Sequence, residues 1–223
     1  MKYKGFIFDL DGVLIDSSRI HFAGWKKVLA GFDKDIDYEI FRKSYFGKRD
    51  EETLEIIFGK GRFSSEEAEK IFDDLDSNFA KAATGVSVPV RGALEFVRSL
   101  KESGEKVALA TSARRQNVDA FLDAFSLRGI FEAEVCGDDV SILKPDPEVF
   151  LKAASQLGED PRSCVVFEDS LTGVTAAKAA GATCVALLTT ASRDVLKAAD
   201  YFIEDFLDKG IKKVAPSKKK VNV

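Results

Sequence analysis

The stretch Phe6–Ser17, FIFDLDGVLIDS, decides the fold of this chain. Up to Phe8 it is apolar and rich in strand-forming residues, which is typical of a buried β-strand. Two aspartates at i and i+2, Asp9 and Asp11, then end the run, and Gly12 permits a tight turn after them. Alternation along a strand places both carboxylates on one side, at the carboxyl end where open α/β sheets bind ligands.

Two carboxylates this close repel each other unless a cation joins them. Magnesium accepts carboxylate and carbonyl oxygens and keeps coordination positions free for a phosphate, so Asp9 and Asp11 are candidate Mg²⁺ ligands. The alternative is a strand that ends in a solvated acidic turn. For an isolated pair of aspartates that alternative is the ordinary interpretation, and only the rest of the chain argues against it.

Length and composition describe an ordinary globular protein. The 223 residues, 45% hydrophobic and 31% charged, suit one large domain or two modest ones. The net charge of -4 argues against a nucleic-acid partner, and we find no apolar run long enough to cross a membrane. We therefore expect neither nucleic acid nor a membrane as a partner, and the sequence does not indicate an oligomeric state.

The cysteines and the single histidine narrow the possibilities further. The three cysteines are widely spaced in strand-like runs, which favours buried free thiols in a reducing compartment. With no signal-peptide pattern at the amino terminus, we expect a cytoplasmic protein. One histidine, His21, cannot build a two-histidine metal site, and neither a G-x-S-x-G elbow nor a phosphate-binding P-loop motif is present.

The chain divides into two textures. From about residue 17 to 84 the apolar spacing is helical and predicts about four helices in a small bundle. After Pro89 helices alternate with apolar strands, which predicts an α/β fold with a doubly wound parallel sheet. We predict a core domain of residues 1–16 and 87–211, a helical cap domain inserted at 17–86, and a frayed, solvated tail at 212–223.

The core is predicted to contain six strands and five helices. The expected strands are Lys4–Leu10, Lys106–Thr111, Ala133–Gly137, Cys164–Phe167, Cys184–Leu188 and Tyr201–Ile203. The expected helices of the core are Val90–Glu102, Gln116–Phe125, Pro147–Gln156, Leu171–Ala180 and Asp194–Ala199.

Three later segments place further polar groups near the first two aspartates. One strand ends in Thr111-Ser112, whose hydroxyls and backbone N–H groups suit phosphate oxygens, and another ends in the acidic pair Glu168-Asp169. Lys144 stands just before a helix that begins at a proline. Each segment alone has an ordinary explanation as a helix cap or a solvated loop. Their order on alternating strands favours one common site.

These segments resemble the four motifs of the haloacid dehalogenase-like phosphatases. The resemblance covers nearly the whole chain and includes a helical cap inserted after the first motif. Within that superfamily, His21, Trp25 and Gly47 look most like the β-phosphoglucomutase and sugar-phosphatase branch.

The resemblance implies a role for each residue of the motifs. Asp9 would be the nucleophile that forms an aspartyl-phosphate, and Asp11 the acid and base that also gives Mg²⁺ a backbone carbonyl. Asp169 would hold the metal, with Glu168 a weaker candidate ligand. The remaining motif residues, Thr111, Ser112 and Lys144, would bind the phosphoryl oxygens.

In the cap the residue types leave two interpretations open. His21 and Trp25 match substrate-facing positions, but at i and i+4 they are equally an ordinary pair facing a helical bundle. Arg114 would either contact the substrate or be solvated. The mutase pattern resembles Gly-x-x-Arg, whereas this chain has Arg49 and then Asp50 at the arginine position. Arg49 remains a candidate substrate contact.

The sequence thus predicts a Mg²⁺-dependent phosphatase that acts on a small phosphorylated metabolite, with a sugar phosphate as the expected substrate. A β-phosphoglucomutase-type isomerase is the alternative. A binding module without catalysis is a more remote alternative, because every chemical motif is intact.

Overall fold

The central sheet determines where the site lies. The structure, a computed structural model, describes residues 3–46, 48–86 and 88–215. For residues 76 and 78–86 it describes the backbone alone. The strands in this part of the chain are β1 (Gly5–Phe8), β2 (Ile15–Asp16), β3 (Val88–Pro89), β4 (Lys106–Ala110), β5 (Ala133–Val135), β6 (Cys164–Glu168), β7 (Thr183–Leu187) and β8 (Tyr201–Ile203).

Strand β1 occupies the middle of a parallel sheet in the order β5-β4-β1-β6-β7-β8. The chain crosses to opposite sides of β1 to form β4 and β6, so the strand order reverses there, and α/β folds bind ligands at such a reversal. Phe8 is in register with Leu109 on one side and with Phe167 on the other. The residues that follow these three positions therefore meet at one edge of the sheet.

Alternation along β1 explains why both faces of the sheet are covered. Phe6 and Phe8 belong to an apolar cluster on one face, together with residues of the helices α5 and α6, whereas Ile7 belongs to a second cluster on the other face with α7 and α8. These helices are α5 (Ala93–Glu102), α6 (Arg115–Ala124), α7 (Glu148–Gln156) and α8 (Leu171–Ala179). The predicted doubly wound α/β fold is confirmed.

The inserted segment is helical, as predicted. It consists of α1 (Ser18–Ala30), α2 (Tyr38–Ser44), α3 (Asp50–Phe58) and α4 (Ser65–Val86). Its own apolar centre is formed by Trp25, Phe41, Leu54 and Leu75, separate from the two clusters of the sheet. The two connections to the core pair as a short antiparallel ribbon, β2 with β3. The division at residues 17–86 stays a prediction, since a separate apolar centre does not by itself define a domain.

Two expectations about the last part of the chain are wrong. Asp194–Ala199 forms turns rather than a helix, because six residues with only one buried apolar side chain, Leu196, cannot offset the cost of nucleation. The predicted frayed tail is wrong for residues 212–215. A 3₁₀ helix, Lys209–Lys213, leads to Val214, which is 3% exposed and packs into the core. Residues 216–223 lie outside the described part.

Two expectations drawn from composition can also be compared with the fold. All three cysteines, Cys136, Cys164 and Cys184, are buried free thiols, as predicted. None of the helices in the described part has the length and apolarity that a membrane span requires.

Candidate active site

The segment after β1 turns sharply and so brings its aspartates to the edge of the sheet. The strand ends at Phe8, and the Leu14 N–H donates to the Leu10 carbonyl at 2.9 Å. Gly12 has φ +73°, and a Cβ atom there would lie 1.7 Å from Asp169 Oδ2. Glycine is therefore required both for the turn and for the close approach of this loop to Asp169.

Lys144 joins the ends of three strands. Its Nζ donates to Asp9 Oδ1 at 2.7 Å, to Glu168 Oε1 at 2.6 Å and to the Ala110 carbonyl at 3.2 Å. The lysine is 7% exposed, and burial by itself would lower the pKa of the amine. Its two carboxylate partners outweigh that cost and raise the pKa of Lys144 above its ordinary value. Lys144 is therefore a fixed positive charge beside Asp9.

The carboxylates around Lys144 outnumber it. Asp9, Glu168 and Asp169 each place an oxygen within 4.8 Å of the others, and all three are buried. Burial raises the pKa of Asp9 to about 7, even though Lys144 opposes the shift. Burial and the neighbouring Glu168 likewise raise the pKa of Asp169 well above its ordinary value. A second cation would relieve this crowding, and an all-oxygen donor set fits Mg²⁺.

Within this cluster Glu168 is largely occupied by hydrogen bonds. Besides Lys144, it accepts from the Asp169 N–H at 2.9 Å and from Ser170 N and Oγ, both at 3.1 Å. Gly173 makes room for it, because a Cβ at that position would lie 1.8 Å from Glu168 Oε1. These contacts suit a residue that holds Lys144 and the start of α8 in place. They favour Asp9 and Asp169 over Glu168 as direct metal ligands.

Asp11 lies beside the single histidine of the chain. His21 Nε2 is 3.7 Å from Asp11 Oδ1, so helix α1 of the inserted bundle reaches the motif loop. Burial alone would raise the pKa of Asp11, but interactions with His21 and Ser17 lower it below its ordinary value. The pKa values of Asp9 and Asp11 are therefore shifted in opposite directions, which is the pattern expected when two carboxyl groups have different roles.

Thr111 and Ser112 follow β4, next to Asp9. Thr111 is 2% exposed, and its Oγ1 accepts from the Ala113 N–H at 3.1 Å, which leaves the hydroxyl proton available to a ligand. Ser112 is exposed and borders the same cleft.

All of the predicted site residues line one cleft of about 400 Å³ between the sheet edge and the bundle. They are Asp9, Asp11, His21, Trp25, Arg49, Thr111, Ser112, Arg114, Lys144, Glu168 and Asp169. The cleft brings the predicted residues together, and their individual roles stay predictions.

On the bundle side of the cleft, Trp25 packs in the apolar centre of the bundle, and its contact with a substrate stays a prediction. It is 2% exposed within the bundle core, and its Nε1 donates to Asp50 Oδ1 at 3.2 Å in the cleft. Arg49 precedes α3 and is exposed, and its guanidinium makes no ion pair or hydrogen bond with a described residue. Arg114 is less available than Arg49 for contact with a substrate, because its guanidinium lies 3.0 Å from the carboxylate of Asp73 in α4.

Two residues at the site were not anticipated. Thr190 Oγ1 donates to Asp169 Oδ2, and Thr189 Oγ1 donates to the Gly12 carbonyl at 2.6 Å. Their signal in the sequence is the one that identified Thr111 and Ser112, an apolar strand that ends in consecutive hydroxyl residues.

Comparison with known proteins tests the resemblance. The family model described as haloacid dehalogenase-like hydrolase matches residues 3–181, which is most of the chain. The chain belongs to the haloacid dehalogenase-like hydrolases. It is therefore an enzyme of that family, and phosphatases are prominent among its named relatives.

Three relatives show which kinds of protein this chain is similar to. The chain is 36% identical over 184 residues to the phosphorylated carbohydrates phosphatase of Thermotoga maritima, covering 78% of this chain and 80% of that one. It is 31% identical over 184 residues to the β-phosphoglucomutase of Bacillus subtilis, covering 80% of each. It also spans 19% of a longer protein of Arabidopsis thaliana, SUPPRESSOR OF QUENCHING 1, chloroplastic, with 36% identity over 201 residues and 88% of this chain covered.

A solved structure supports the fold independently. A hydrolase from Pseudomonas syringae superposes with a TM-score of 0.81 at 28% identity, covering 96% of this chain and 100% of that one. The helical insertion is therefore part of the shared architecture rather than a peculiarity of this chain.

Proposed function

We propose that the chain is a Mg²⁺-dependent phosphatase that hydrolyses a sugar phosphate or a similar small phosphorylated metabolite in the cytoplasm. The observation that carries the proposal is the buried contact of Lys144 Nζ with Asp9 Oδ1 at 2.7 Å, beside the cluster of Asp9, Glu168 and Asp169. A nucleophilic carboxylate fixed by a permanent cation at the base of a cleft is suited to attack a phosphorus atom.

In the first step an oxygen of Asp9 attacks phosphorus, and the bond from phosphorus to the sugar oxygen breaks. Asp11 gives its proton to that departing oxygen. Because its pKa is lowered, Asp11 is ionised in the free protein at neutral pH. A phosphate dianion bound nearby favours the protonated carboxyl, because it repels the ionised form. The products are an aspartyl-phosphate on Asp9 and the free sugar.

In the second step Asp11, now ionised, takes a proton from a water molecule whose oxygen attacks the phosphorus. The bond between Asp9 and phosphorus breaks, and inorganic phosphate is released. Lys144, Thr111 and the backbone near Ser112 would bind the phosphoryl oxygens in both steps. A Mg²⁺ ion held by Asp9, Asp169 and the Asp11 carbonyl would supply charge neutralisation of the phosphoryl group.

The bundle side of the cleft favours hydrolysis over isomerisation. A mutase must hold the phosphate that is not reacting, which calls for a cation in the cap. Asp50 enters the cleft at the position where the mutase pattern would have an arginine, and Trp25 holds its carboxylate there. Lys48 is already paired with Glu52 at 2.7 Å. Arg49 is the remaining candidate for binding the phosphate that does not react. Asp50 beside it would repel that phosphate.

A panel of phosphorylated sugars, sugar alcohols and other metabolites, assayed with Mg²⁺ for phosphate release, tests the proposal. Hydrolysis of one compound well above the rest is the expected result, and no release from any compound would overturn the phosphatase assignment.

The mutase alternative is tested with β-glucose 1-phosphate. If glucose 6-phosphate forms faster than inorganic phosphate, the chain is a mutase. Arg49→Ala would then remove the cation that the bisphosphate needs, with Lys48→Ala as the matched control on the same segment.

A further inference from the structure

The loop that follows β7 contacts the acidic cluster at the edge of the sheet. Strand β7 pairs with β6, so its carboxyl end lies beside Glu168 and Asp169. From this loop Thr190 donates its hydroxyl to Asp169 Oδ2. None of the four motifs includes this residue, and the mechanism above does not use it.

The hydrogen bond from Thr190 stabilises Asp169 against electrostatic repulsion from the neighbouring carboxylates. It is 4% exposed, and oxygens of Asp9 and Glu168 lie within 4.8 Å of its own. Like charges this close favour rotation of the carboxylate away from the others. A hydroxyl donor on one oxygen opposes that rotation, since the hydrogen bond to a charged group is lost if the carboxylate turns.

Close packing makes the arrangement specific. The Cα of Gly12 approaches so near that a Cβ there would lie 1.7 Å from Asp169 Oδ2 and 2.9 Å from Thr190 Oγ1. The motif loop, the carboxylate and the hydroxyl are therefore closely packed against one another. With Oδ2 engaged in this way, Oδ1 is the oxygen left for another partner.

We propose that Thr190 is a positioning residue for the metal site, whose hydroxyl holds Asp169 Oδ2 so that Oδ1 is presented to Mg²⁺. The inference rests on the proposed function in one respect, that a divalent cation lies between Asp9 and Asp169. It predicts that the metal affinity of the protein depends on a residue that touches neither the metal nor the substrate.

The test is calorimetric titration of Mg²⁺ into the metal-free protein and into its variants. Thr190→Val keeps the shape of the side chain and removes the donor, so the Mg²⁺ dissociation constant should rise about 10- to 100-fold, as is usual for second-sphere partners of ligands. Thr190→Ser restores the donor and should recover most of the affinity. Thr190→Ala serves as a second donor-free variant should the valine disturb folding.

Thr189→Val is the matched control. It removes a hydroxyl from the same loop, but one that contacts the Gly12 carbonyl rather than a ligand side chain. If it weakens Mg²⁺ binding as much as Thr190→Val does, the effect belongs to the loop in general and the proposal is overturned. Parent-like affinity of Thr190→Val and Thr190→Ala, or a parent that binds no Mg²⁺, also overturns it.

The outcome is separable from that of the proposed function. A parent whose Mg²⁺ affinity depends on Thr190 but that releases phosphate from no substrate leaves the positioning role in place and removes the phosphatase assignment. If the parent is an active phosphatase and Thr190→Val binds Mg²⁺ as tightly as the parent, the phosphatase assignment stands and the positioning role of Thr190 is overturned.

Discussion

The two sides of the cleft are built on different physical principles. The core side is buried, with Asp9, Lys144, Glu168 and Asp169 between 0% and 7% exposed, and each is held by at least one hydrogen bond to a described neighbour. On the cap side Lys48 and Arg49 are exposed, and the ion pair of Lys48 within the described part of the chain is with an exposed glutamate, Glu52.

This difference suggests how catalysis and selectivity are divided. Buried charges are held in one geometry because a displaced partner would leave an uncompensated charge, so the chemistry of the core side tolerates little change. Exposed charges on a helical bundle can be exchanged at small cost, so the cap side is free to adapt to different substrates. The predictions below test this division, beginning with the largest effect.

The first prediction concerns the two aspartates of the motif loop. Asp9→Asn should lower turnover by roughly 10⁴-fold or more, because an amide is a very poor nucleophile. With p-nitrophenyl phosphate, whose leaving group needs no proton, Asp11→Asn should still form the phosphoenzyme in a burst and then stall for lack of a base. Rapid-quench measurement of nitrophenol release checks both variants. A burst from Asp9→Asn would show that the nucleophile lies elsewhere.

The second prediction compares the same substitution on the two sides. Lys144→Met leaves Asp9 and Glu168 buried without their cation and should cost about 3–5 kcal/mol of unfolding free energy in the metal-free protein. Lys48→Met breaks an exposed pair with Glu52 and should cost about 0–1 kcal/mol. Urea unfolding measures both. Equal costs would contradict the division of the cleft into a rigid and an adaptable side.

The third prediction is a pH dependence confined to the core side. Because burial raises the pKa of Asp9 from 3.8 to about 7, the folded metal-free protein holds a proton that the unfolded chain releases. Asp9 therefore makes the free energy of unfolding fall as the pH rises through this window, and Asp9→Asn should remove that component. Mg²⁺ binds the ionised carboxylates and should raise the melting temperature more at about pH 8 than at about pH 5.

Thermal melts of the parent and of Asp9→Asn, with and without Mg²⁺, check the third prediction. If the difference between the two proteins does not change with pH in the absence of metal, the pKa of Asp9 is not raised. Because the variant also removes a charge beside Lys144, the pH dependence of the difference is informative and its absolute value is not.

The smallest effect is expected where the cap meets the core. Arg114 pairs with Asp73, and both side chains are exposed, at 44% and 67%. If Arg114 contacts the substrate, the pair competes with it, so Asp73→Asn should lower KM and Arg114→Gln should raise it. Each change should be up to about fivefold at low ionic strength and smaller in salt. If both variants raise KM, the pair serves only to hold the cap against the core.

Much of the site was predictable from local sequence because its geometry follows from the sheet. In a parallel sheet, residues just beyond the carboxyl ends of neighbouring strands must meet, so Asp9, Thr111 and Asp169 could be placed together from their positions after apolar runs. The inserted helices were predictable for a similar reason, since their apolar periodicity needs no knowledge of distant residues. The hydrogen bond that caps the start of α4, from the Ser64 N–H to Glu67 Oε2 at 2.8 Å, likewise joins residues that are neighbours in the sequence.

The features that sequence did not reveal depend on contacts between distant segments. The donation from Trp25 to Asp50 joins two helices of the bundle, and that from Thr190 to Asp169 joins two loops whose approach depends on Gly12. Asp194–Ala199 has a helical pattern, but the segment is too short to form a helix without more packing than Leu196 provides.

The sequence by itself determined the fold class, the family and the residues of the sheet edge, because periodicity and strand ends are properties of neighbouring residues. Only the tertiary structure decided which charges neutralise which. Lys144 lies 2.6 and 2.7 Å from two carboxylates that are 24 and 135 residues away from it along the chain. Electrostatic energies depend on distance in space and on burial, and folding sets both of these across the whole chain.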